Sequence, residues 1–155
     1  AMGLGIMGQE DAPSTSLNKV RMTAYSQIYY SILDSLTLCM FPWGPGSLFT
    51  YRDLEDLVRF STGWQMTLWE LMKVGERRIN MMRRINARRG FTKEHDVLPE
   101  RLFEPLLDGP SKGRHVDREA FSRMKEEYYG FMGWDEKDGN PSRGKLIELG
   151  LDWTL

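Results

Sequence analysis

Cysteine and histidine are scarce in this sequence, whose 155 residues contain one cysteine, Cys39, and two histidines. A single cysteine cannot form a disulfide within the chain. Together with two dispersed histidines it also fails to provide the ligand spacing of a zinc site. The sequence therefore predicts a reducing, cytoplasmic environment and no metal site built from this chain alone.

Long apolar runs and an excess of charge are absent as well. No stretch approaches the roughly 20 apolar residues that span a bilayer, and the first residues lack the basic region and apolar core of a signal peptide. The formal net charge is -1 and the pI is about 6.2. Binding to nucleic acid or to an anionic membrane relies on a large positive excess. We therefore expect neither nucleic acid nor a membrane among the partners.

The first half of the chain predicts a flexible start followed by a helix. Residues 1–16 are rich in glycine and small polar residues, which predicts a flexible N-terminal segment. From Leu17 to Leu38 apolar residues recur every fourth position, which is the period of a helix, and Ser16 is suited to cap it. Pro42 and the glycines around it end this helix, so Cys39 should lie at a helix end.

Capping residues and glycines predict four further helices in the remainder. The predicted caps are Thr50, Thr67, Asp117 and Ser142. In the same order, the helices should end at Gly63, at Gly90, at Tyr129 with Gly130 as the stop, and at Gly150. The helical period also predicts which residues of two of these helices face inward. They are Leu54, Leu57 and Val58 in the first, and Leu68, Leu71, Met72, Gly75, Ile79, Met82 and Ile85 in the second.

No strand pattern competes with these helices. Residues 91–115 lack a sustained period, which predicts a loop with at most one turn near Glu100 to Leu107. The predicted fold is all-α, an irregular bundle of about five helices with long Pro/Gly-containing loops, over residues 17–155.

Two other patterns could carry chemistry. The arginines Arg77, Arg78, Arg83, Arg84, Arg88 and Arg89 crowd one helix, but nearby glutamates and the neutral chain favour a solvated or domain-contacting face over a nucleic-acid site. His95-Asp96 has the composition of a carboxylate-oriented histidine, which can be a general base. No nucleophile or metal ligand lies near it in sequence, so a structural role in the loop is preferred and catalysis is the alternative.

The motif Asp34-x-x-Thr37-Leu38-Cys39, together with several later segments, resembles a known family. The segments are Thr62-Gly63-Trp64, Gly75 to Asn80, Arg83 to Gly90, His95 to Arg101 and Gly133-Trp134-Asp135. In this order they resemble the carboxy-terminal portion of the tungsten-dependent aldehyde ferredoxin oxidoreductases. In that family a D-x-x-G-L-C motif closes a pterin and iron–sulfur site. This chain keeps the aspartate, the leucine and the cysteine but has Thr37 in place of the glycine.

The resemblance implies roles for three residues that their neighbourhood alone does not suggest. By composition alone, Cys39 would be a small buried apolar residue and Asp34 a cap or turn former. By resemblance, Cys39 is the fourth thiolate of a [4Fe-4S] cluster, Asp34 contacts the amino groups of the pterin, and Leu38 lies beside the same cofactor. The implied cofactors are a tungsten (or molybdenum) bis-pterin and the cluster in the full-length protein. None is expected to be bound to this fragment, which lacks the family's C-x-x-C-x-x-x-C motif.

The implied reaction is oxidation of an aldehyde to a carboxylic acid, with electrons passing through the tungsten centre and the cluster to ferredoxin. The implied partners are the missing N-terminal and middle domains of the same enzyme, ferredoxin and a small aldehyde, and the isolated fragment is expected to be inactive. Two alternatives remain. The chain could be a helical interaction module that kept the fold but lost the redox site, or part of a relative that acts on aromatic thioesters.

Overall fold

Helix α1 (Leu17–Ser35) is the centre of the fold in the computed structural model, which describes residues 10–11, 13–44 and 47–155. The Ser16 side chain accepts a hydrogen bond from the Lys19 backbone N–H, so the predicted cap is confirmed. The predicted four-residue stripe is buried, as at Ala24 and Ile28. Helix α1 packs mainly on α4 (Leu68–Arg88) and α5 (Arg118–Met132).

The described residues form six α-helices and no strand, which confirms the predicted all-α class. The other three helices are α2 (Met40–Trp43), α3 (Tyr51–Thr62) and α6 (Arg143–Glu148), and short 3-10 helices lie at Lys93–His95, Glu100–Leu102 and Asp152–Thr154. Residues 91–115 are a loop, as predicted, and Glu100–Leu102 is the predicted turn, but the second 3-10 turn at Lys93–His95 was not predicted. In the described part of the chain no helix combines the length and the apolar composition needed to cross a membrane.

The predicted flexible segment, residues 1–16, falls largely outside the described residues. Within its described part, the Glu10 carboxylate accepts hydrogen bonds from Ser14, Ser16 and Asn18, which attaches this stretch to the start of α1. The flexibility of the segment as a whole stays a prediction.

The predicted helix starts agree with the structure, but two predicted ends were wrong. The caps Thr50, Thr67, Asp117 and Ser142 each accept a hydrogen bond from a backbone N–H of the first turn. Helix α1 ends at Ser35 and not at Leu38. Helix α5 continues through Gly130 to Met132 and stops at Gly133, whose φ is 69°. Gly130 is tolerated inside the helix, whereas Gly133 adopts the left-handed conformation that ends it.

Helices α1 and α4 approach each other closely at Gly75. A Cβ atom placed on Gly75 would lie 2.2 Å from the backbone oxygen of Ile28, so the contact excludes any side chain there. On either side of this contact lie two apolar cores, around Leu33 and Leu71 and around Ile28 and Tyr129.

Three side chains that were predicted to face inward are exposed, namely Leu57, Met82 and Ile85. The last two lie on the carboxy-terminal half of α4. The fully buried side chain of that half is polar: Asn80 accepts a hydrogen bond from the Trp134 indole N–H at 2.8 Å. Ile79, predicted to face inward, does pack against an apolar cluster, so the apolar period of α4 ends after Ile79.

Candidate functional site

The candidate site is the end of α1, where the chain leaves the helix through a left-handed residue. Thr37 has φ 57°, the only positive φ outside glycine among the described residues. The Thr37 N–H donates to the oxygen of Asp34 at 3.2 Å, and the Leu38 N–H donates to the oxygen of Leu33 at 2.9 Å. This pair of bonds is the Schellman motif, which usually has glycine at the left-handed position. The substitution of the motif glycine by Thr37 therefore leaves the glycine-type backbone in place.

The left-handed turn sends Leu38 and Cys39 in different directions. Leu38 is half-buried and packs against the core cluster that contains Leu33. Cys39 follows as the residue before α2, and its side chain is exposed. The neighbourhood-based expectation that Cys39 is a buried apolar residue was therefore wrong, because the turn places Leu38, and not Cys39, in the core.

The Asp34 carboxylate is 62% exposed on the last turn of α1 and lies 3.1 Å from Nη1 of Arg78. The same guanidinium nitrogen donates to the hydroxyl of Ser31 at 3.3 Å. Arg78 was predicted to belong to a basic face, and no local signal connects it to Asp34, because the two residues lie on different helices. A cavity of about 400 Å³ adjoins this pair, with Tyr30, Met82 and Trp134 among its lining residues.

A complete metal site is absent from the described residues. No group of three or more histidine, cysteine, aspartate or glutamate side chains there is arranged to hold a metal ion. A metal centre bound by Cys39 would therefore need further ligands from outside the described residues.

His95 and Asp96 do not interact as a carboxylate–histidine pair. The Asp96 carboxylate accepts two hydrogen bonds from Arg83, at 2.8 and 2.6 Å, and one from the Tyr129 hydroxyl at 2.7 Å. Nδ1 of His95 instead accepts the Thr92 backbone N–H at 3.1 Å. The geometry fits the structural role in the loop, since Asp96 ties the loop to α4 and α5.

The charge of Asp96 is maintained by these partners. Burial alone would raise its pKa, but the hydrogen bonds from Arg83 and Tyr129 outweigh burial and hold the pKa below its usual value. Burial and the hydrogen bond to Asp96 together raise the pKa of Tyr129, so the phenol stays a donor.

Several arginines of the predicted solvated or domain-contacting face donate hydrogen bonds within the chain, although Arg77, Arg88 and Arg89 remain exposed. Arg77 donates to the backbone oxygen of Leu149 at 2.8 Å, and Arg84 and Arg88 donate to that of Thr154 at 3.0 and 2.8 Å. Their partners lie more than 60 positions away in sequence, which is why the local pattern did not reveal them.

Fold and site together define an all-helical domain that presents one carboxylate and one thiol at the end of its central helix and that lacks a complete metal site in its described residues. A family model described as "Aldehyde ferredoxin oxidoreductase, domains 2 & 3" matches residues 3–151. The chain belongs to this family, as its motif suggested.

Named relatives agree with this assignment. The chain is 35% identical over 151 residues to a tungsten-containing aldehyde ferredoxin oxidoreductase of Pyrococcus furiosus, covering 96% of this chain and 24% of the relative. It is 36% identical over 152 residues to the protein of the same description from Pyrococcus abyssi, with the same coverage. It is also 30% identical over 135 residues to an aliphatic sulfonate oxidoreductase, WOR-like subunit, of Pyrococcus furiosus, covering 81% of this chain and 20% of that protein. The chain thus spans about a quarter of the length of the curated relatives that it matches.

A solved structure shares the fold. The active site complex BamBC of benzoyl coenzyme A reductase, in complex with 1,5 dienoyl-CoA, superposes with a TM-score of 0.74 at 20% identity and covers 96% of this chain and 22% of that chain. At this identity the likeness concerns the fold alone.

Proposed function

We propose that this chain is the carboxy-terminal part of an oxidoreductase that converts aldehydes to carboxylic acids and delivers the electrons to ferredoxin. Its membership of the aldehyde ferredoxin oxidoreductase family supports the reaction class. The observation that supports the proposal at the level of residues is the geometry at the end of α1. Thr37 takes the left-handed conformation there, and the Cys39 thiol, two residues further on, is exposed.

The donor set fits the implied cofactors. A [4Fe-4S] cluster is held by four thiolates, so one exposed cysteine can supply one of them, and the other three would come from the three quarters of the enzyme outside this chain. The exposed Asp34 carboxylate can accept hydrogen bonds from amino groups such as those of a pterin. When bound, the tungsten-pterin supplies the oxidation chemistry and the cluster supplies the electron path.

In this proposal the residues of this chain bind the cofactors and orient the side chains that contact them. Leu38 anchors the turn in the core, which fixes the direction in which the Cys39 side chain leaves the helix end. Arg78 orients the Asp34 carboxylate, because its Nη1 lies 3.1 Å from one carboxylate oxygen.

Metal analysis of the anaerobically purified protein, in its full encoded length, tests this function. We expect about four irons per chain with one tungsten or molybdenum. Replacement of Cys39→Ala should remove most of the iron, whereas Ser35→Ala, which deletes a hydroxyl at the same helix end, should leave the iron content unchanged. A folded protein without metal would instead favour the helical interaction module, and a cluster retained in the Cys39→Ala protein would refute the ligand role.

Substrate assays test the reaction separately. We expect aldehyde-dependent reduction of ferredoxin by the metal-loaded enzyme. Reduction or oxidation of an aromatic thioester, with no turnover of aldehydes, would keep the redox site but replace the proposed substrate class.

A further inference from the structure

The sequence around Cys39 is uncharged over a length that is unusual for this chain. Residues 35–51, which are 17 positions, contain no aspartate, glutamate, lysine or arginine, although these residues make up 28% of the chain. Depletion of charge is typical of the centre of a protein–protein interface and not of a solvated surface.

Large apolar side chains are exposed in the described part of this stretch. Met40 is 54% exposed, Phe41 82%, Leu48 84% and Phe49 43%. We call these four side chains the apolar surface. Adjacent exposed apolar groups of this size are typical of interaction sites, whereas single exposed apolar residues are ordinary.

The apolar surface is held in place by contacts on its inner side. The Phe49 N–H donates to the backbone oxygen of Pro42 at 3.1 Å, and the Phe49 ring stacks on Trp43 with the ring centres 4.3 Å apart. The hydroxyl of the buried Tyr29 donates to the backbone oxygen of Trp43 at 2.8 Å. Phe49 is therefore held against α2, and the end of α2 is attached to the core, while Phe41 and Leu48 remain largely exposed.

We propose that the apolar surface is an interface that is covered by the part of the same enzyme that lies outside this chain, namely the polypeptide that carries the other three cluster thiolates. This inference rests on the proposed role of Cys39. Four thiolates of one cluster must lie within a few ångströms of each other, so the covering polypeptide must reach Cys39, and Met40 and Phe41 are its immediate neighbours. The relatives are long enough to supply such a polypeptide, since this chain spans 24% of them.

A matched pair of substitutions tests this interface in the protein of full encoded length. Leu48→Glu places a charge on the apolar surface, and Leu107→Glu places the same charge at a leucine outside it that is 88% exposed in this chain. Burial of an unpaired charge is costly, so Leu48→Glu should lower the thermal midpoint by about 5 °C or more and cause loss of bound iron. Leu107→Glu should leave the midpoint and the iron content as in the unmodified protein. Phe41→Ser should reproduce the effect of Leu48→Glu, since it removes apolar area from the same surface.

The outcomes separate this inference from the proposed function. Equal midpoints for the two glutamate variants and the unmodified protein would overturn the interface, and so would equal losses in both variants. Dissociation of a dimer by Leu48→Glu, with the midpoint of each chain unchanged, would assign the surface to a second copy and also overturn the inference. If the unmodified protein binds no iron but Leu48→Glu alone lowers its midpoint, the apolar surface is a covered interface, whereas the cluster role of Cys39 fails and with it the identification of the covering polypeptide.

Discussion

Thr37 occupies, at the end of α1, the position that glycine occupies at the ends of α4 and α6. Gly90 has φ 88° and Gly150 has φ 64°, with the same two backbone hydrogen bonds as at Thr37. Glycine adopts this conformation without steric cost, whereas a β-branched residue is strained there. The family motif has glycine at this point. With Thr37 in its place, this chain accepts backbone strain at one residue and keeps the turn after which Cys39 is exposed.

Replacement of Thr37→Gly should therefore stabilise the chain. We expect the free energy of unfolding to rise by about 1 kcal/mol, because the left-handed strain of a non-glycine residue costs about 1–2 kcal/mol and the greater freedom of glycine in the unfolded chain offsets part of the gain. Urea unfolding followed by circular dichroism measures the change.

The reverse exchange at the end of α4 is the control. An added side chain at Gly90 would meet no atom within 4 Å, so Gly90→Thr should destabilise through backbone strain alone, by about 1 kcal/mol. If Thr37→Gly destabilised the chain, the Thr37 side chain would contribute more than its conformation costs, and the strain argument would be wrong.

At the scale of elements, the contact between α1 and α4 depends on one residue without a side chain. Gly75→Ala would place a methyl group 2.2 Å from the Ile28 oxygen, so the two helices would have to separate. We expect a loss of about 1–3 kcal/mol in the free energy of unfolding, the usual cost of overpacking.

Gly130→Ala is the matched change inside α5, where an added Cβ would meet no atom within 4 Å. Because alanine favours helix by about 1 kcal/mol over glycine, this variant should be more stable than the unmodified chain. Thermal unfolding of both variants provides the comparison. Equal effects of the two substitutions would show that the α1–α4 contact adapts without cost.

The loop of residues 91–115 is attached to the helices through the charge of Asp96. Asp96→Asn keeps the shape of the side chain but removes that charge from Arg83 and Tyr129, and we expect a loss of about 1–3 kcal/mol at neutral pH. The folded-state pKa of Asp96 is lowered, so its stabilisation is present above the unfolded pKa of about 3.9 and is lost as the pH falls through the lower folded value. The stability difference between the two proteins should therefore shrink below about pH 4.

Urea unfolding from pH 3 to pH 7 measures this difference, and contributions from other carboxylates cancel because both proteins share them. Asp56→Asn is the control, since its ion pair with Arg59 is exposed and should contribute less than about 1 kcal/mol. A stability difference that does not depend on pH would contradict the ionic role of Asp96.

The helix starts could be predicted from the sequence because capping is a local interaction, and Thr50, Thr67, Asp117 and Ser142 act within one turn of themselves. The helix ends were less predictable, since Thr37 acts as a stop without being glycine while Gly130 does not stop α5. The position of the candidate site could be predicted from the sequence motif, but its ion pair could not. Asp34 meets Arg78 only because α1 packs on α4, and such long-range pairing leaves no local signal.

At the scale of the whole molecule, α4 serves two parts of the domain. Gly75 lets it pack on α1, and Arg77, Arg84 and Arg88 hold the backbone oxygens of Leu149 and Thr154. Leu149 and Leu151 form a small apolar cluster of their own with Leu146, against which Met81 of α4 packs. The carboxy-terminal segment is thus joined to the domain by α4 and not by the core around α1.

Because of this arrangement, the carboxy-terminal segment should open without the rest of the domain when its arginines are removed. The double substitution Arg84→Ala and Arg88→Ala deletes both donors to the Thr154 oxygen, and hydrogen bonds from charged donors contribute about 1.5–3 kcal/mol each. Amide hydrogen exchange in residues 150–155 should accelerate by a factor of about ten or more, while exchange within α1 stays unchanged.

Arg101→Ala, at an exposed position in the 3-10 helix Glu100–Leu102, is the control and should leave exchange in residues 150–155 unchanged. If exchange within α1 accelerated as much as in residues 150–155, the domain would open as one unit and the two parts would not be separate. If only residues 150–155 respond, the helix end that carries Asp34 and Cys39 keeps its geometry independently of the carboxy-terminal segment. The candidate site would then depend on the α1–α4 contact, where Gly75 lets the two helices meet.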